Sequence, residues 1–131
     1  MSQENVETFR TLIEAWNEAD RQAWLACIHP EAEWHPSAAS VEGGAYHGRK
    51  GFERFWADID AAFDQMETSY EEIRDLDDAV LGLGRLRARS KQGYPVDLEY
   101  GILSRYRDGL VVWGRSWFSH SEALEAAGLS E

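Results

Sequence analysis

The sequence predicts an α+β fold in which helices come first and one strongly curved, mostly antiparallel sheet comes last. Apolar residues recur at helical spacing up to about residue 65, and the pattern then changes to strand-like segments separated by turn signals. Gly82 and Gly84 interrupt one of these segments, where a curved sheet needs bends or close backbone approach. Because 131 residues with 44% hydrophobic content match the usual size of one domain, we expect residues 1–131 to form a single domain.

Three helices are predicted in the first half of the chain. The first runs from Asn5 to about Glu18 and has one apolar face. Asp20 can cap a second, short helix that stops before Pro30. The third runs from Arg49 to about Gln65 and has the strongest helical periodicity in the chain.

The strands and one further helix follow from alternation and turn residues. A short strand from Ala32 to His35 ends at Pro36, and a loop from Pro36 to Gly48 separates it from the third helix. A last helix begins at Ser121 and is ended by Gly128. The second half contains four predicted strands: Ser69 to Arg74, Ala79 to Lys91, Val96 to Arg107 and Leu110 to Ser119.

A row of arginines on the second long strand has two interpretations. Arg85, Arg87 and Arg89 share one face and could form an anion site. Asp97 and Glu99 lie on the polar face of the next strand, and cross-strand ion pairing explains the row more simply.

The composition excludes several classes of function. A formal net charge of −11 opposes nucleic acids and anionic membrane surfaces. No run approaches the ~20 apolar residues of a membrane span, and the polar start of the sequence does not resemble a signal peptide, so we expect a cytoplasmic protein. Cys27 is the only cysteine, and the four histidines show no ligand-pair spacing, so no metal site is predicted. Nor does a glycine-rich phosphate loop indicate a cofactor.

The tripeptide Trp34-His35-Pro36 is the clearest candidate for chemistry. Proline restricts the preceding residue to an extended conformation, so the imidazole of His35 leaves the strand end at a defined angle. Beside a glycine-containing loop and several aromatic residues, it could serve as an acid or base near neutral pH. The alternative is that His35 ends a strand and meets water.

The order of elements and several short motifs resemble the NTF2-like superfamily, and more closely its SnoaL-like branch. This resemblance implies a cone-shaped sheet covered by helices, a deep apolar pocket and usually a homodimer. The matching segments cover nearly the whole chain: Glu14-Ala15-Trp16-Asn17 with Asp20, His29-Pro30-Glu31, Trp34-His35-Pro36, Tyr46-His47-Gly48-Arg49 with Gly51, Arg105-Tyr106-Arg107-Asp108-Gly109, and Glu122 to Gly128.

The resemblance also suggests where a catalytic group belongs. Steroid-isomerase-like members place an acidic general base just before a proline at the end of the first strand, where this chain has His35-Pro36. Cyclase-like members place His and Asp on the last two strands, approximately at Ile102 and Ser119 of this chain. Neither set of groups is complete here. The fold hosts many unrelated activities, so it does not decide between them.

Two hypotheses of function follow. In the first, the protein binds a small, largely apolar or aromatic molecule and performs cofactor-free proton transfer on it, as an isomerase, cyclase or epoxide-hydrolase-like enzyme. His35 would then act as acid or base, with the hydroxyl of Tyr46 or Tyr100 as a donor. In the second, the chain is a non-catalytic ligand-binding or interaction module. The candidate ligand-binding residues are Trp16, Trp34, Phe55, Trp56, Tyr100, Ile102, Trp117 and Ser119, although the tryptophans could equally be core residues.

Overall fold

The computed structural model describes residues 2–37 and 45–129, and it shows a curved, open sheet of six strands with helices on both of its faces. The strand order is β2-β1-β6-β5-β4-β3, in which β1 and β6 pair in parallel and every other pair is antiparallel. This is the α+β architecture that the sequence predicts. The elements are α1 (Ser2–Asn17), α2 (Arg21–Ala26), β1 (Ile28–His35), β2 (Tyr46–His47), α3 (Gly48–Ala62), β3 (Phe63–Asp75), β4 (Ala79–Ser90), β5 (Pro95–Arg107), β6 (Leu110–Trp117) and α4 (His120–Ala126).

The boundary between α3 and β3 differs most from the prediction. The helix ends at Ala62, and Phe63 already has extended backbone angles of φ −132° and ψ 142°. Met66, which continues the helical spacing in the sequence, lies on β3 opposite Ala88 of β4. A side chain that continues an i, i+3 series also fits the inner face of a strand, so periodicity alone does not locate this boundary.

The first strand begins four residues earlier than predicted. β1 starts at Ile28 and contains Pro30, because its pairing with β6 is interrupted between Ile28 and Glu33 and the proline falls in that interruption. The loop that we expect from Pro36 to Gly48 contains a two-residue strand, β2, which pairs with β1. Residues 38–44 of that loop lie outside the described residues.

Two apolar clusters lie on opposite faces of the sheet. The larger one packs α1, α2 and α3 against the concave face, and the smaller one packs α4 against the other face. Gly101 allows α4 to come close, since a Cβ there would stand 2.5 Å from the Cβ of Ala123. β4 and β5 therefore alternate between two buried surfaces over part of their length.

Hydrogen bonds stabilise the edge strand β3, and ion pairs stabilise the exposed part of the outer face of the sheet. The side-chain amide of Asn17 donates to the carbonyl oxygen of Thr68 at 2.8 Å and accepts from its backbone N–H at 3.0 Å. Asn17 thus occupies backbone groups that an edge strand would otherwise expose. On the outer face, Arg85 donates to Asp97 at 2.7 Å, and Arg87 lies 3.7 Å from the same carboxylate. The cross-strand ion pairing predicted from the sequence is confirmed for these residues.

Candidate functional site: an apolar cavity

The concave face of the sheet and the three N-terminal helices enclose a cavity of about 70 Å³. Its walls come from five of the six strands and from all three of these helices, so it lies inside the larger apolar cluster. The lining residues are Leu12, Ile13, Trp16, Trp24, Trp34, Phe52, Phe55, Met66, Thr68, Tyr70, Leu86, Tyr100, Ile102, Ser104, Val111 and Gly114.

Three polar groups in this lining are buried without a hydrogen-bond partner among the described residues. They are the indole Nε1 of Trp34, the hydroxyl of Thr68 and the hydroxyl of Tyr70. Thr68 lies near Tyr70, but the two hydroxyls do not meet hydrogen-bond geometry. Buried polar groups are nearly always paired in native proteins, so three orphans around one cavity distinguish it from ordinary core.

The tyrosines of the cavity are neutral donors. Burial raises the pKa of Tyr100 to about 12 and that of Tyr70 well above its usual range. Tyr106 does not line the cavity, but burial raises its pKa as well, and its hydroxyl shares a 2.8 Å hydrogen bond with the lining residue Ser104. None of the described residues that line the cavity is an Asp, Glu, His, Lys or Arg. The described part of the lining therefore offers hydrogen bonds but no group that exchanges a proton near neutral pH.

A wider cleft of about 560 Å³ lies against the cavity. Trp16 and Met66 line both spaces, so these two side chains stand between them. Trp56 lines the cleft and not the cavity; its ring packs 4.9 Å from that of Trp16. Charged residues border the cleft: Asp60, Asp64, Glu67, Arg87, Arg89 and Asp97.

His35 lies on the face of the sheet opposite the cavity. Side chains alternate along β1, and Trp34 takes the inward position, so the imidazole points outward. Its Nε2 is 2.9 Å from the carboxylate of Glu33, and its ring lies 5.7 Å from that of Trp113. The structure thus places the imidazole outside the cavity, as in the interpretation that His35 ends a strand and meets water. The ring borders a separate outer groove.

Tyr46 is buried, but its hydroxyl is directed to the surface of α3. It donates to Asp58 at 2.6 Å, and Arg54 lies over its ring at 5.2 Å. Burial, together with the Asp58 carboxylate, raises the pKa of Tyr46 to about 12. This hydroxyl is already engaged and does not line the cavity.

Two other predicted ligand-binding residues also lie outside the cavity. Trp117 packs in the apolar cluster beneath α4, with Arg115 over its ring at 5.2 Å. Ser119 caps α4, since its side chain accepts a hydrogen bond from the backbone N–H of Glu122 at 3.2 Å. In contrast, the structure brings together five of the predicted residues around the cavity: Trp16, Trp34, Phe55, Tyr100 and Ile102.

Sequence reasoning missed several lining residues, although a signal for some of them was present. The alternation puts Leu86 on the face of β4 opposite the arginines, and it puts Ser104 on the same face of β5 as Ile102, a predicted ligand-binding residue. Thr68 was missed because its strand was predicted to begin at Ser69, whereas Tyr70 lay inside the predicted strand and was not singled out. No group of three or more metal-binding side chains occurs within residues 2–37 and 45–129.

Comparison with protein families identifies the fold family. The model of the SnoaL-like domain matches residues 9–113. The chain belongs to the SnoaL-like family. Comparison of the sequence of this SnoaL-like chain with curated proteins gives no significant match. No helix in the described part of the chain is long and apolar enough to cross a membrane.

Solved structures show that the fold of this SnoaL-like chain is NTF2-like. One is an NTF2-like protein of unknown function from Burkholderia pseudomallei, with a TM-score of 0.81, 22% identity, and coverage of 93% of this chain and 95% of that one. Another is TerC co-crystallised with polyporic acid, with a TM-score of 0.79, 22% identity, and coverage of 93% and 96%. A third is a Mycobacterium tuberculosis protein in complex with estradiol-17β-hemisuccinate, with a TM-score of 0.77, 18% identity, and coverage of 89% and 95%.

Proposed function

We propose that this SnoaL-like protein binds a compact, largely apolar organic molecule in the cavity. The observation that carries the proposal is an apolar, aromatic-lined space with orphaned polar groups at the centre of the larger cluster. Protein interiors are otherwise close-packed, and ligand sites combine apolar walls with a few polar groups. The ligands in two of the similar structures, polyporic acid and a steroid ester, lend support by analogy of fold.

A ring-sized ligand requires the cavity to open. The volume of about 70 Å³ is several times what one water needs, but a six-membered ring needs about 150 Å³. Met66 separates the cavity from the cleft, and methionine changes shape easily because its side chain is unbranched and flexible. We infer that the ligand enters from the cleft as Met66 moves aside.

Binding without proton transfer is the favoured form of this function. The described residues of the lining supply no acid or base that titrates near neutral pH. Isomerase, cyclase or hydrolase chemistry with His35 as acid or base stays a prediction, and it would need the imidazole to act from the outer groove or after a rearrangement of β1.

The test is a titration with toluene, followed by the indole N–H signals in NMR spectra. We expect saturable binding to the wild-type protein and a loss of at least tenfold in affinity for Leu86→Phe, which fills the cavity. Leu83→Phe is the matched control: the same change on the same strand, but on the opposite face beneath α4. No binding to the wild type, or equal losses in both variants, would refute the proposal.

The His35→Gln variant distinguishes ligand binding alone from ligand binding with proton transfer by His35. Because His35 lies on the outer face, we expect its replacement to leave the affinity for toluene within about twofold of wild type. A loss larger than fivefold in the folded variant would show that the imidazole reaches the ligand and would restore the acid–base hypothesis.

The homodimer and the cytoplasmic location that we expect from the sequence also remain proposals. Light scattering at micromolar concentration tests the first of them, and a monomer there would contradict it.

A further inference from the structure

The orphaned donor of Trp34 indicates the chemical class of the ligand. Trp34 is 8% exposed, and its Nε1 has no hydrogen-bond partner among residues 2–37 and 45–129. An indole N–H can only donate, so a partner must carry an acceptor atom. A buried donor that lacks a partner retains the full penalty of lost hydration, and a ligand acceptor would remove it.

The indole of Trp34 packs against β6. Its Cε3 and Cζ3 atoms lie against Gly114, where a Cβ would stand 3.0 Å and 3.1 Å from them. Nε1 belongs to the opposite edge of the ring system from these two atoms. Trp34 and Gly114 both line the cavity, so the ring that carries the unpaired donor forms part of its wall.

The remaining lining excludes charged ligands. No described residue of the cavity wall could neutralise a carboxylate or an ammonium group. Burying an unpaired charge in such surroundings is strongly unfavourable. The other two orphans, the hydroxyls of Thr68 and Tyr70, stand on β3, which three strands separate from β1. They can meet a second polar atom on the far side of a ring.

We propose that the cavity selects neutral, compact ring compounds that carry an accepting oxygen, such as aryl ketones, with Trp34 Nε1 as the donor to that oxygen. This inference rests on the proposed function and specifies its ligand class. It also assigns Trp34 a role beyond that of an apolar wall residue. The indole N–H decides which of two molecules of the same shape binds.

The test compares acetophenone with α-methylstyrene, which has the same shape but a CH₂ group in place of the carbonyl oxygen. The readout is the ratio of the two dissociation constants, since transfer from water differs between the ligands but is the same for every variant. Trp34→Phe removes the donor, and we expect the preference for acetophenone to fall by roughly two- to tenfold.

Phe52→Leu is the matched control. Phe52 also lines the cavity and is 4% exposed, but its ring carries no hydrogen-bonding group. This variant removes wall atoms from the same cavity without removing a donor, so both ligands should change in affinity together and the ratio should stay that of wild type.

A spectroscopic readout makes the test independent of the stability of the variants. In the wild-type protein, acetophenone should move the Trp34 indole N–H proton resonance downfield, as a new hydrogen bond does, whereas α-methylstyrene should not. An unchanged ratio in Trp34→Phe, or no downfield shift at saturating acetophenone, would overturn the inference even if both ligands bind. If neither ligand binds to the wild type, the proposed function itself fails.

Discussion

At the scale of single residues, neighbours in the sequence lie in different environments. Trp34 and His35 are adjacent on β1, yet one lines the cavity and the other lies on the outer face beside Trp113. Tyr46 and Tyr100 are both buried, yet one hydroxyl reaches Asp58 at the surface and the other stays within the cavity wall. The environment of each group, and not its type, decides what it can do.

Tyr46→Phe tests whether this phenol is structural. Removing the hydroxyl breaks its 2.6 Å hydrogen bond to Asp58, and we expect a loss of about 1–2 kcal/mol in the free energy of unfolding. The affinity for toluene should not change, because Tyr46 does not line the cavity. Chemical denaturation and the NMR titration measure the two effects. Loss of binding by a stable Tyr46→Phe variant would contradict the structural role.

The pH dependence of the unfolding free energy of Tyr100→Phe tests whether the phenol of Tyr100 is buried in the cavity wall. The pKa is about 12 in the folded protein and about 10 in the unfolded chain. Below pH 10 both states keep the proton, so this contribution to stability is fully present. Between pH 10 and 12 only the folded state keeps it, and the free energy of unfolding falls by up to about 1.4 kcal/mol per pH unit.

The Tyr100→Phe variant lacks the phenol and its proton, so its unfolding free energy should fall less steeply than that of wild type between pH 10 and 12. Tyr94→Phe provides the control, because Tyr94 is 70% exposed and its hydroxyl stays in water in both states. Parallel curves for Tyr100→Phe and wild type would show that the Tyr100 hydroxyl is not buried as described.

At the scale of elements, close contacts hold helices on both faces of one sheet. α4 is short, and isolated helices of its length are unstable in water, so its packing on β4, β5 and β6 keeps it folded. Gly101 is the position on β5 that lets this helix approach.

A double-mutant cycle tests this contact. Gly101→Ala should destabilise the fold by about 1–3 kcal/mol, because the new Cβ would stand 2.5 Å from that of Ala123. Ala123→Gly should cost about 1 kcal/mol through its weaker helix propensity. The two together should cost clearly less than the sum, since the second change makes room for the first. Additive losses in thermal or chemical denaturation would show that the two side chains do not compete for space.

At the scale of the whole molecule, the dominant feature is the excess of negative charge. Because the formal net charge is −11, the acidic side chains on the surface repel one another. Ion pairs such as Arg85 with Asp97 and Lys91 with Asp64 at 3.2 Å relieve part of it locally. Surface pairs of this kind contribute little individually, so the net charge should determine the response to salt.

We therefore expect the melting temperature to rise when sodium chloride is increased from about 10 mM to about 200 mM. Salt at the higher concentration reduces the Debye length to about 7–8 Å and screens the repulsion between distant carboxylates. Scanning calorimetry at constant pH measures the shift. A lower melting temperature at high salt would mean that the local ion pairs outweigh the net charge.

Much of the fold could be predicted from the sequence because its signals are local. Helical periodicity, the alternation on β5 and the turn residues between β5 and β6 located these elements to within a few residues. The start of β3 could not be located, since Met66 fits both a helical and a strand pattern. Five of the eight candidate ligand-binding residues line the cavity. Trp56 lines the adjacent cleft, and Trp117 and Ser119 lie at α4 and its contacts.

By itself, the sequence determined the α+β class, the order of the elements, the resemblance to SnoaL-like proteins and the alternation of side chains along each strand. Only the tertiary structure decided which of two alternating faces encloses the cavity. An alternating pattern records that neighbours point in opposite directions, but the curvature of the sheet and the side on which the helices pack select the inner face. When both faces are buried in places, as here, apolar character marks both of them. For this reason the sequence alone did not show that Trp34, and not His35, lines the cavity.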